Sequence, residues 1–223
     1  MQTKRIVCLA NSRKYQGICI AGKEWIESPD KPWVRPISAY ARGELDLSSC
    51  EYVDGARVRM LDVFDVRVNG HVSHGYQTEN WSIAEGDWVR LGSIGWSDAS
   101  ALVDNPHSLW ADGSSTARNL NDQIPVDDAS RLNSSLTMIH VGSVRLNVFN
   151  YFGNRKLQAQ FEYRDTTYRL WVTDSDYEET YKKLSDGSYD LGESLLTVSL
   201  AEPFNNHVSK LVAGIVERAQ VQT

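Results

Sequence analysis

Apolar and polar residues alternate most clearly over residues 56–68. A period of two predicts a long strand with one buried face, and Asn69 followed by Gly70 predicts a turn at its end. Near the N-terminus, the apolar run 6–10 predicts a short buried strand. The polar, glycine-containing stretch 11–24 that follows this run is predicted to be a loop.

Shorter strands are predicted in both halves of the chain. They lie at 31–38, 76–83, 87–96, 136–150 with a break near Gly142, 156–163, 167–173 and 194–204, and a hairpin at 164–166 is predicted to join 156–163 to 167–173. Asp174 is a typical helix N-cap residue, so a helix is predicted at 175–184, and a short helix also fits 98–103. The last apolar segment, 207–219, fits a terminal helix and a terminal strand equally well.

These elements fall into two clusters of short strands, at 1–96 and 136–216, joined by an irregular bridge rich in Ser, Asp, Asn and Gly. About five short strands with one helix are typical of a small Greek-key barrel. The expected fold is therefore mainly β, with two small barrels and one or two short helices. We expect an N-terminal domain at 1–130, which includes the bridge, and a C-terminal domain at 131–223.

Composition indicates a globular protein with many aromatic residues. The chain has 223 residues, of which 41% are hydrophobic and 10% aromatic, with seven Trp and ten Tyr. Large rings suit a pleated sheet and also suit stacking on a flat ligand. Cys8, Cys19 and Cys50 form no metal or disulfide pattern, and no segment has the apolar length of a membrane span or a secretory signal. These features predict a cytoplasmic protein with reduced thiols.

The charge is unevenly distributed along the chain. The formal net charge is -6, which argues against a purely electrostatic binder of nucleic acid. Residues 1–42, however, contain eight basic and three acidic side chains, a balance of +5. Such asymmetry indicates an anion-facing surface at the N-terminal end, or cations that scatter over a solvated face after folding.

The stretch 11–24 supplies the first candidate contacts for an anion. Short polar donors and cations are joined there by Gly17 and Gly22, which let a ligand approach the backbone. The candidate residues are Asn11, Ser12, Arg13, Lys14 and Lys23. The pattern G-x-x-x-x-G-K occurs at 17–23, but Glu24 stands where a nucleotide-hydrolysing loop needs Ser or Thr for the metal. The alternative is a solvated loop whose polar residues hold a turn.

Two further groups of candidate contacts follow. Arg35 and Arg42 are suited either to a ligand or to salt bridges, with Glu44 and Glu202 as possible partners of Arg35. The run 74–81 is dense in ring and amide side chains, which can stack on a base and bind its edge. Its candidate contacts are Tyr76, Gln77 and Asn80.

The evidence for catalysis is weaker. His71 and His74 lack a third metal ligand nearby in sequence. Asp62, Asp65 and Glu79 have the chemistry to bind Mg²⁺ as in a nuclease, but no spacing singles them out. No nucleophile motif is present. We therefore expect no cofactor, no resident metal and no catalytic residue.

Several segments carry a resemblance to a known family. The runs "KRIVCLANSRK", "CIAGKE", "WVRPIS", "RGEL", "HGYQTENW", "NDQI", "LWVTD" and "VSLAEPF" occur in this order between Lys4 and Phe204. Together they resemble the bacterial dual OB-containing domain family. The resemblance implies two OB-fold barrels and nucleic-acid binding, often in a bacterial conflict or defence system. It supplies no catalytic residues.

The expected function is non-enzymatic binding of single-stranded DNA or RNA, or of a nucleotide-like anion, without contact with a membrane. Two alternatives belong to other classes. The carboxylates and the run 74–81 would also suit a metal-assisted nuclease or a nucleotide-processing enzyme. The acidic bulk and the abundant Tyr and Trp would suit a protein-interaction module with a protein partner.

Overall fold

The computed structural model describes residues 1–14, 17–38 and 43–221, which form two compact units. The first unit ends at Leu102, and the second begins at Val103 and contains the rest of the described chain. Both units are built mainly of strands, as the apolar patterning predicts. Within the described residues, no helix is long and apolar enough to span a membrane.

The first unit is a closed five-stranded barrel with one additional strand. Its elements are β1 (Gln2–Lys14), β2 (Gly17–Glu24), β3 (Trp33–Ile37), β4 (Asp62–His71), β5 (Asn80–Ile83), β6 (Val89–Ser93) and α1 (Trp96–Ser100). The strand order is β1-β2-β3-β5-β4, and β4 pairs again with β1, so the sheet closes on itself. β3 and β5 pair in parallel, and β6 extends the sheet from β4.

The period-two pattern in the first unit is confirmed. Phe64, Val66 and Val68 on β4 are fully buried, and the ring of Phe64 stacks on that of Trp88 with centroids 5.0 Å apart. The strand begins at Asp62, later than the alternation suggests. Alternating apolar residues therefore locate the buried face of the barrel more accurately than they locate the end of the strand.

The prediction of a loop at 11–24 is wrong. β1 continues to Lys14 and β2 begins at Gly17, so most of the stretch is a strand pair. Asn11 is compatible with a strand because its Nδ2 donates to the carbonyl of Val58 at 3.0 Å. Gly22 brings the strands close together, since a Cβ there would lie 1.8 Å from the carbonyl oxygen of Val7. This glycine serves strand packing.

Two other local predictions are also wrong. Asn69 and Gly70 do not form a turn, because β4 continues through a bulge to His71 and the Asn69 side chain donates to the carbonyl of Ile83 at 2.9 Å. In the predicted strand 76–83, only β5 is extended. The preceding residues form a turn closed by backbone hydrogen bonds between His74 and Gln77.

The second unit repeats the strand order of the first. Its elements are β7 (Gln123–Pro125), α2 (Val126–Ala129), β8 (Leu136–Val141), β9 (Val144–Tyr151), β10 (Asn154–Tyr163), β11 (Thr166–Val172), α3 (Ser175–Tyr181), β12 (Gly187–Leu191), β13 (Ser194–Leu200) and β14 (His207–Glu217). The order is β12-β9-β10-β11-β14-β13-β8. The predicted break near Gly142 separates β8 from β9. When β8 and β9 are counted as halves of one bent strand, the order β9-β10-β11-β14-β13-β8 matches the order β1-β2-β3-β5-β4-β1 of the first barrel. The parallel pair of β11 and β14 corresponds to that of β3 and β5.

Several predictions for the second unit are confirmed. A hairpin joins β10 to β11 through Arg164 and Asp165, which both have positive φ. Asp174 caps α3 by accepting hydrogen bonds from two backbone N–H groups. The ambiguous last segment is a strand, β14, whose residues Val208 and Val212 are fully buried.

The bridge between the strand clusters packs within the second unit. β7 pairs with β14, and Leu120 forms an isolated backbone bridge with Arg169 on β11. The boundary between the compact units along the chain therefore falls between Leu102 and Val103. The boundary predicted from the sequence falls after residue 130.

Candidate functional site

The structure places the sequence-derived candidate residues in different surroundings. Six are buried in the first unit: Asn11, Ser12, Lys23, Arg35, Tyr76 and Asn80. Arg13 and Lys14 lie at the end of β1, Gln77 lies in the turn before β5, and Arg42 lies outside the described residues. Most of these side chains are therefore packed against other parts of the protein.

Arg35 forms a buried ion pair. Its Nη2 lies 2.8 Å from Oε1 of Glu79, and its Nη1 donates to Oδ1 of Asn80 at 3.3 Å. The residue is 5% exposed. Sequence reasoning did not consider Glu79 as a partner, because the pairing of β3 with β5 brings the two residues together from distant positions. A buried cation with a buried anion is well suited to fixing the fold.

Lys23 is also engaged by the protein itself. Its Nζ donates to the carbonyl of Leu102 at 2.7 Å and lies 5.4 Å from the ring centroid of Trp33. Lys23 and Arg35 alternate with the core residues Ile20 and Val34, so they lie on the outer face of β2 and β3. The segment that follows α1 therefore covers this outer face.

The remaining described candidates, Arg13, Lys14 and Gln77, do not converge. Lys14 pairs with Gly17 at one end of the β1–β2 pair, whereas Lys23 pairs with Trp33 near the other end. Asn80 pairs in register with Arg35, and β5 runs parallel to β3. The turn before β5 therefore lies near the end of β3 at which Trp33 stands. The register thus separates Arg13 and Lys14 from Gln77.

Protein donors engage the carboxylates that suggested a nuclease. Asp62 accepts hydrogen bonds from Tyr52 Oη at 2.9 Å and from Arg90 Nε at 2.8 Å. Asp65 pairs with Arg5 at 2.9 Å. Among the residues that the structure describes, no group of three or more His, Cys, Asp or Glu side chains could hold a metal ion.

The second unit presents a different kind of surface on the outer face of β9, β10 and β11. Val148 and Leu157 point into the core, so their neighbours Phe149 and Lys156 point outward. Phe149 pairs with Lys156 in register, and its ring centroid lies 6.0 Å from that of Trp171 on β11. Lys156 Nζ lies 6.0 Å from the Trp171 centroid. Two half-buried rings and a cation are therefore adjacent.

A second pair of rings continues this surface to the β9–β10 turn. The guanidinium carbon of Arg118 lies 4.3 Å from the ring centroid of Tyr151, and Tyr151 lies 4.6 Å from Phe152. Phe152 is 86% exposed and has a φ of 48°, which projects from a tight turn. The exposed ring of Phe152 and the half-buried ring of Tyr151 therefore lie next to a cation.

We call this surface the aromatic face, and it comprises Arg118, Phe149, Tyr151, Phe152, Lys156 and Trp171. Arg118 and Lys156 form no ion pair within the described residues. By contrast, Arg145 and Arg155 on β9 and β10 pair with Asp190 and Asp186, both at 2.8 Å. The aromatic face therefore combines stacking rings with cations that are available to an external anion.

A pocket lies within the aromatic face. Ala117, Arg118, Phe149, Gln158 and Arg169 line it. Gln158 is 4% exposed, and its Nε2 donates to the carbonyl of Arg118 at 3.0 Å. Reciprocal backbone hydrogen bonds of 3.1 and 3.0 Å between Leu120 and Arg169 hold the segment beside β11. The pocket walls are thus fixed by main-chain contacts.

Sequence reasoning missed the aromatic face, although it predicted the strands that carry it. Arg118 comes from the irregular bridge, and its position over Tyr151 depends on the backbone bridge at Leu120. One signal was present in the sequence. Phe149 and Tyr151 alternate with the buried Val148, which indicates two rings on the outer side of one strand.

The architecture and the sequence together define the protein class. Two five-stranded Greek-key barrels with the same strand order are two OB-type barrels. The family model of the dual OB-containing domain matches residues 4–215, and the chain belongs to this family. The resemblance found in the sequence is therefore confirmed.

Two solved structures show weak similarity to the chain. The tetrameric p202 HIN2 structure is 7% identical, with a TM-score of 0.32, and the match covers 95% of this chain and 87% of that one. The structure of a murine DNA binding protein bound with ds DNA is also 7% identical, with a TM-score of 0.31 and 97% of each chain covered. These values are too low to transfer a ligand to this chain. No curated protein matches it.

Proposed function

We propose that this protein binds single-stranded nucleic acid on the aromatic face of its second barrel. The observation that carries the proposal is the continuous arrangement of rings and cations on the outer side of β9, β10 and β11. In OB folds, the face of the second and third strands and the adjoining loops bind oligonucleotides. In the second barrel these elements are β10, β11 and the β9–β10 turn that bears Phe152.

The chemistry of each group fits an unpaired strand. A base stacked on an aromatic ring contributes about 1–3 kcal/mol, whatever its identity. Phe152, Tyr151 and the Phe149–Trp171 pair offer such rings from the turn inward. Lys156 and Arg118 lie beside the rings, where they would neutralise the phosphates between successive bases. The rings explain how a protein of net charge -6 would bind a polyanion.

The N-terminal candidates take a secondary part in this proposal. Arg13 and Lys14, at the end of β1, and Arg42 stay predicted contacts for an anion, and the aromatic face does not depend on them. Gln77, in the turn before β5, is a separate predicted contact. The buried residues Asn11, Ser12, Lys23, Arg35, Tyr76 and Asn80 would support the barrel that carries these contacts.

The proposed activity is binding without catalysis. The engaged carboxylates of the first barrel favour this over a metal-assisted nuclease. Cytoplasmic location, a protein partner and a role in a bacterial conflict or defence system stay predictions, as does the choice between DNA and RNA.

Fluorescence anisotropy with labelled oligothymidylate and oligouridylate of about 12 nucleotides tests the proposal, since an OB fold covers about 4–16 nucleotides. We expect binding that weakens as salt is raised, because counterions are released from the phosphates. Phe152→Ser and Lys156→Gln should each weaken binding by about tenfold.

Matched controls separate the aromatic face from general effects of charge. Lys183→Gln removes the same charge from an exposed position in the turn after α3, where Lys183 pairs with Glu179 at 3.1 Å, and it should leave binding unchanged. The absence of binding by the wild-type chain at low salt, or equal losses in Lys156→Gln and Lys183→Gln, would refute the proposal.

A further inference from the structure

We infer that the pocket between Arg118 and Arg169 is a phosphate subsite, in which one phosphate of the bound strand is held while its neighbouring bases stack on the rings outside. This inference rests on the proposed function and names the chemistry of one position within it. The subsite comprises the two arginines, Ala117, Phe149 and Gln158.

Arg169 supplies the first observation. Its Nε is buried and has no hydrogen-bond partner among the described residues. Its Nη1 makes one long hydrogen bond, 3.4 Å, to the carbonyl of Arg118. A buried donor without an acceptor destabilises a protein, so its retention beside an open pocket needs an explanation. A ligand oxygen at this Nε would supply the missing acceptor.

The lining of the pocket indicates which acceptor fits. Its two charged side chains are both guanidinium groups, and they donate hydrogen bonds only. A phosphate oxygen accepts hydrogen bonds only, and its charge complements the arginines. Base edges carry N–H donors as well as acceptors, and the charged groups of the pocket would leave those donors unmatched.

The surroundings keep the cationic character of the pocket. Arg169 pairs in register with Gln160, a neutral residue, and the nearest acidic side chain along β10 is the exposed Glu162, which pairs with Thr167. The main-chain bonds to Leu120 fix the position of Arg169 in the sheet. The backbone of this part of the pocket is therefore ordered before a ligand binds, and such preorganisation favours affinity.

The rings beside the pocket place stacking positions on both sides of the proposed phosphate contact, as in a bound nucleic-acid strand. Phe149 belongs both to the pocket wall and to the Phe149–Trp171 pair, and Arg118 belongs both to the pocket and to the stack on Tyr151. A phosphate in the pocket would thus lie between two stacking positions, as a backbone phosphate lies between two bases. The subsite would be part of the aromatic face.

The salt dependence of oligothymidylate binding tests this position. Arg169→Gln removes the charge and the Nε donor. We expect binding about tenfold weaker at low salt, and a slope of log affinity against log salt that is smaller by about 0.7. Arg164→Gln is the matched control. Arg164 lies in the β10–β11 turn, donates a hydrogen bond to Asn105 and does not line the pocket. The affinity and the salt slope of Arg164→Gln should match those of the wild type.

A chemical change in the ligand completes the test. A series of oligothymidylates, each with one neutral methylphosphonate in place of a phosphate, is measured against the wild type and Arg169→Gln. At one linkage position, the methylphosphonate should lower the affinity of the wild type about tenfold. The same substitution should leave the affinity of Arg169→Gln unchanged. Thermal unfolding of both variants verifies that they fold.

The outcomes distinguish this inference from the proposed function. If the wild type binds, but Arg169→Gln has the slope of the wild type and no linkage position couples to it, the phosphate subsite is wrong and the aromatic face stands. If the wild type does not bind, the proposed function itself fails.

Discussion

Asp174 connects α3 to the last strand of the second barrel, and its replacement by Ala should be strongly destabilising. Its Oδ1 accepts hydrogen bonds from the N–H groups of Asp176 and Tyr177, both at 3.1 Å, and its Oδ2 accepts one from Ile215 at 2.9 Å. The residue is 1% exposed, so water cannot replace the lost acceptor. One carboxylate therefore serves the helix cap and the β14 backbone.

The expected loss follows from these contacts. An N-cap is worth about 1 kcal/mol, and a buried N–H left without an acceptor costs about 1–3 kcal/mol. The free energy of unfolding of Asp174→Ala should fall by about 3 kcal/mol. Asp176→Ala is the control, because this exposed carboxylate in the first turn contributes only through the helix dipole, about 0.5 kcal/mol.

Urea unfolding at pH 7, followed by far-UV circular dichroism, measures both variants. A loss below about 1 kcal/mol in Asp174→Ala, or equal losses in the two variants, would refute this account of the cap. A pH series adds a second check, since burial raises the pKa of Asp174 to about 7 against the opposing backbone N–H groups. The folded state then holds the proton more tightly than the unfolded state. The part of the stability that comes from this tighter proton binding is therefore fully present below about pH 4 and is lost as the pH rises to about 7, and Asp174→Ala should lack this pH dependence. The loss of about 3 kcal/mol measured at pH 7 reports the hydrogen bonds.

Two further stability predictions follow from single positions. Gly22→Ala should unfold at least about 2 kcal/mol more easily in urea, because the new Cβ would overlap the carbonyl of Val7, whereas Gly70→Ala, with open space around its Cβ, should match the wild type. Burial lowers the pKa of Lys210 to about 8, below its ordinary value of 10.5. The folded state therefore binds this proton less tightly than the unfolded state does. The free energy of unfolding should rise by about 3 kcal/mol from pH 8 to 10.5. Lys210→Met should lack this rise in the same unfolding assay, and an equal rise in both proteins would contradict the prediction.

The sequence predicted those elements whose local signal agrees with their tertiary surroundings. Alternation located the buried face of β4, and the short side chain of Asp174 marked the start of α3, because both signals act within one element. Asn11 and Asn69 misled the prediction. Polar residues favour loops and turns when they bond locally, but here their amides donate to Val58 and Ile83 on distant segments.

The candidate site was harder to predict than the fold, because it depends on register and on long-range contacts. Seven of the ten candidate residues lie between residues 11 and 42, where cations are dense in sequence. The folded barrel buries Lys23 against a carbonyl and Arg35 against Glu79, so sequence density did not become surface charge. The aromatic face draws on three strands and the segment before β7, and no short window of the sequence contains it.

The contact between Lys23 and Leu102 means that the chain itself covers part of the outer sheet face of the first barrel. In the first barrel, the chain's own backbone occupies the side of β2 and β3 where an OB fold usually accepts an oligonucleotide. Under the proposed function, in which the second barrel alone supplies the stacking rings, duplication of the architecture would not have duplicated the binding face. The length of single-stranded nucleic acid that the whole protein protects from a nuclease should be close to the footprint of one barrel, about 4–16 nucleotides. It should not approach the summed footprint of two barrels.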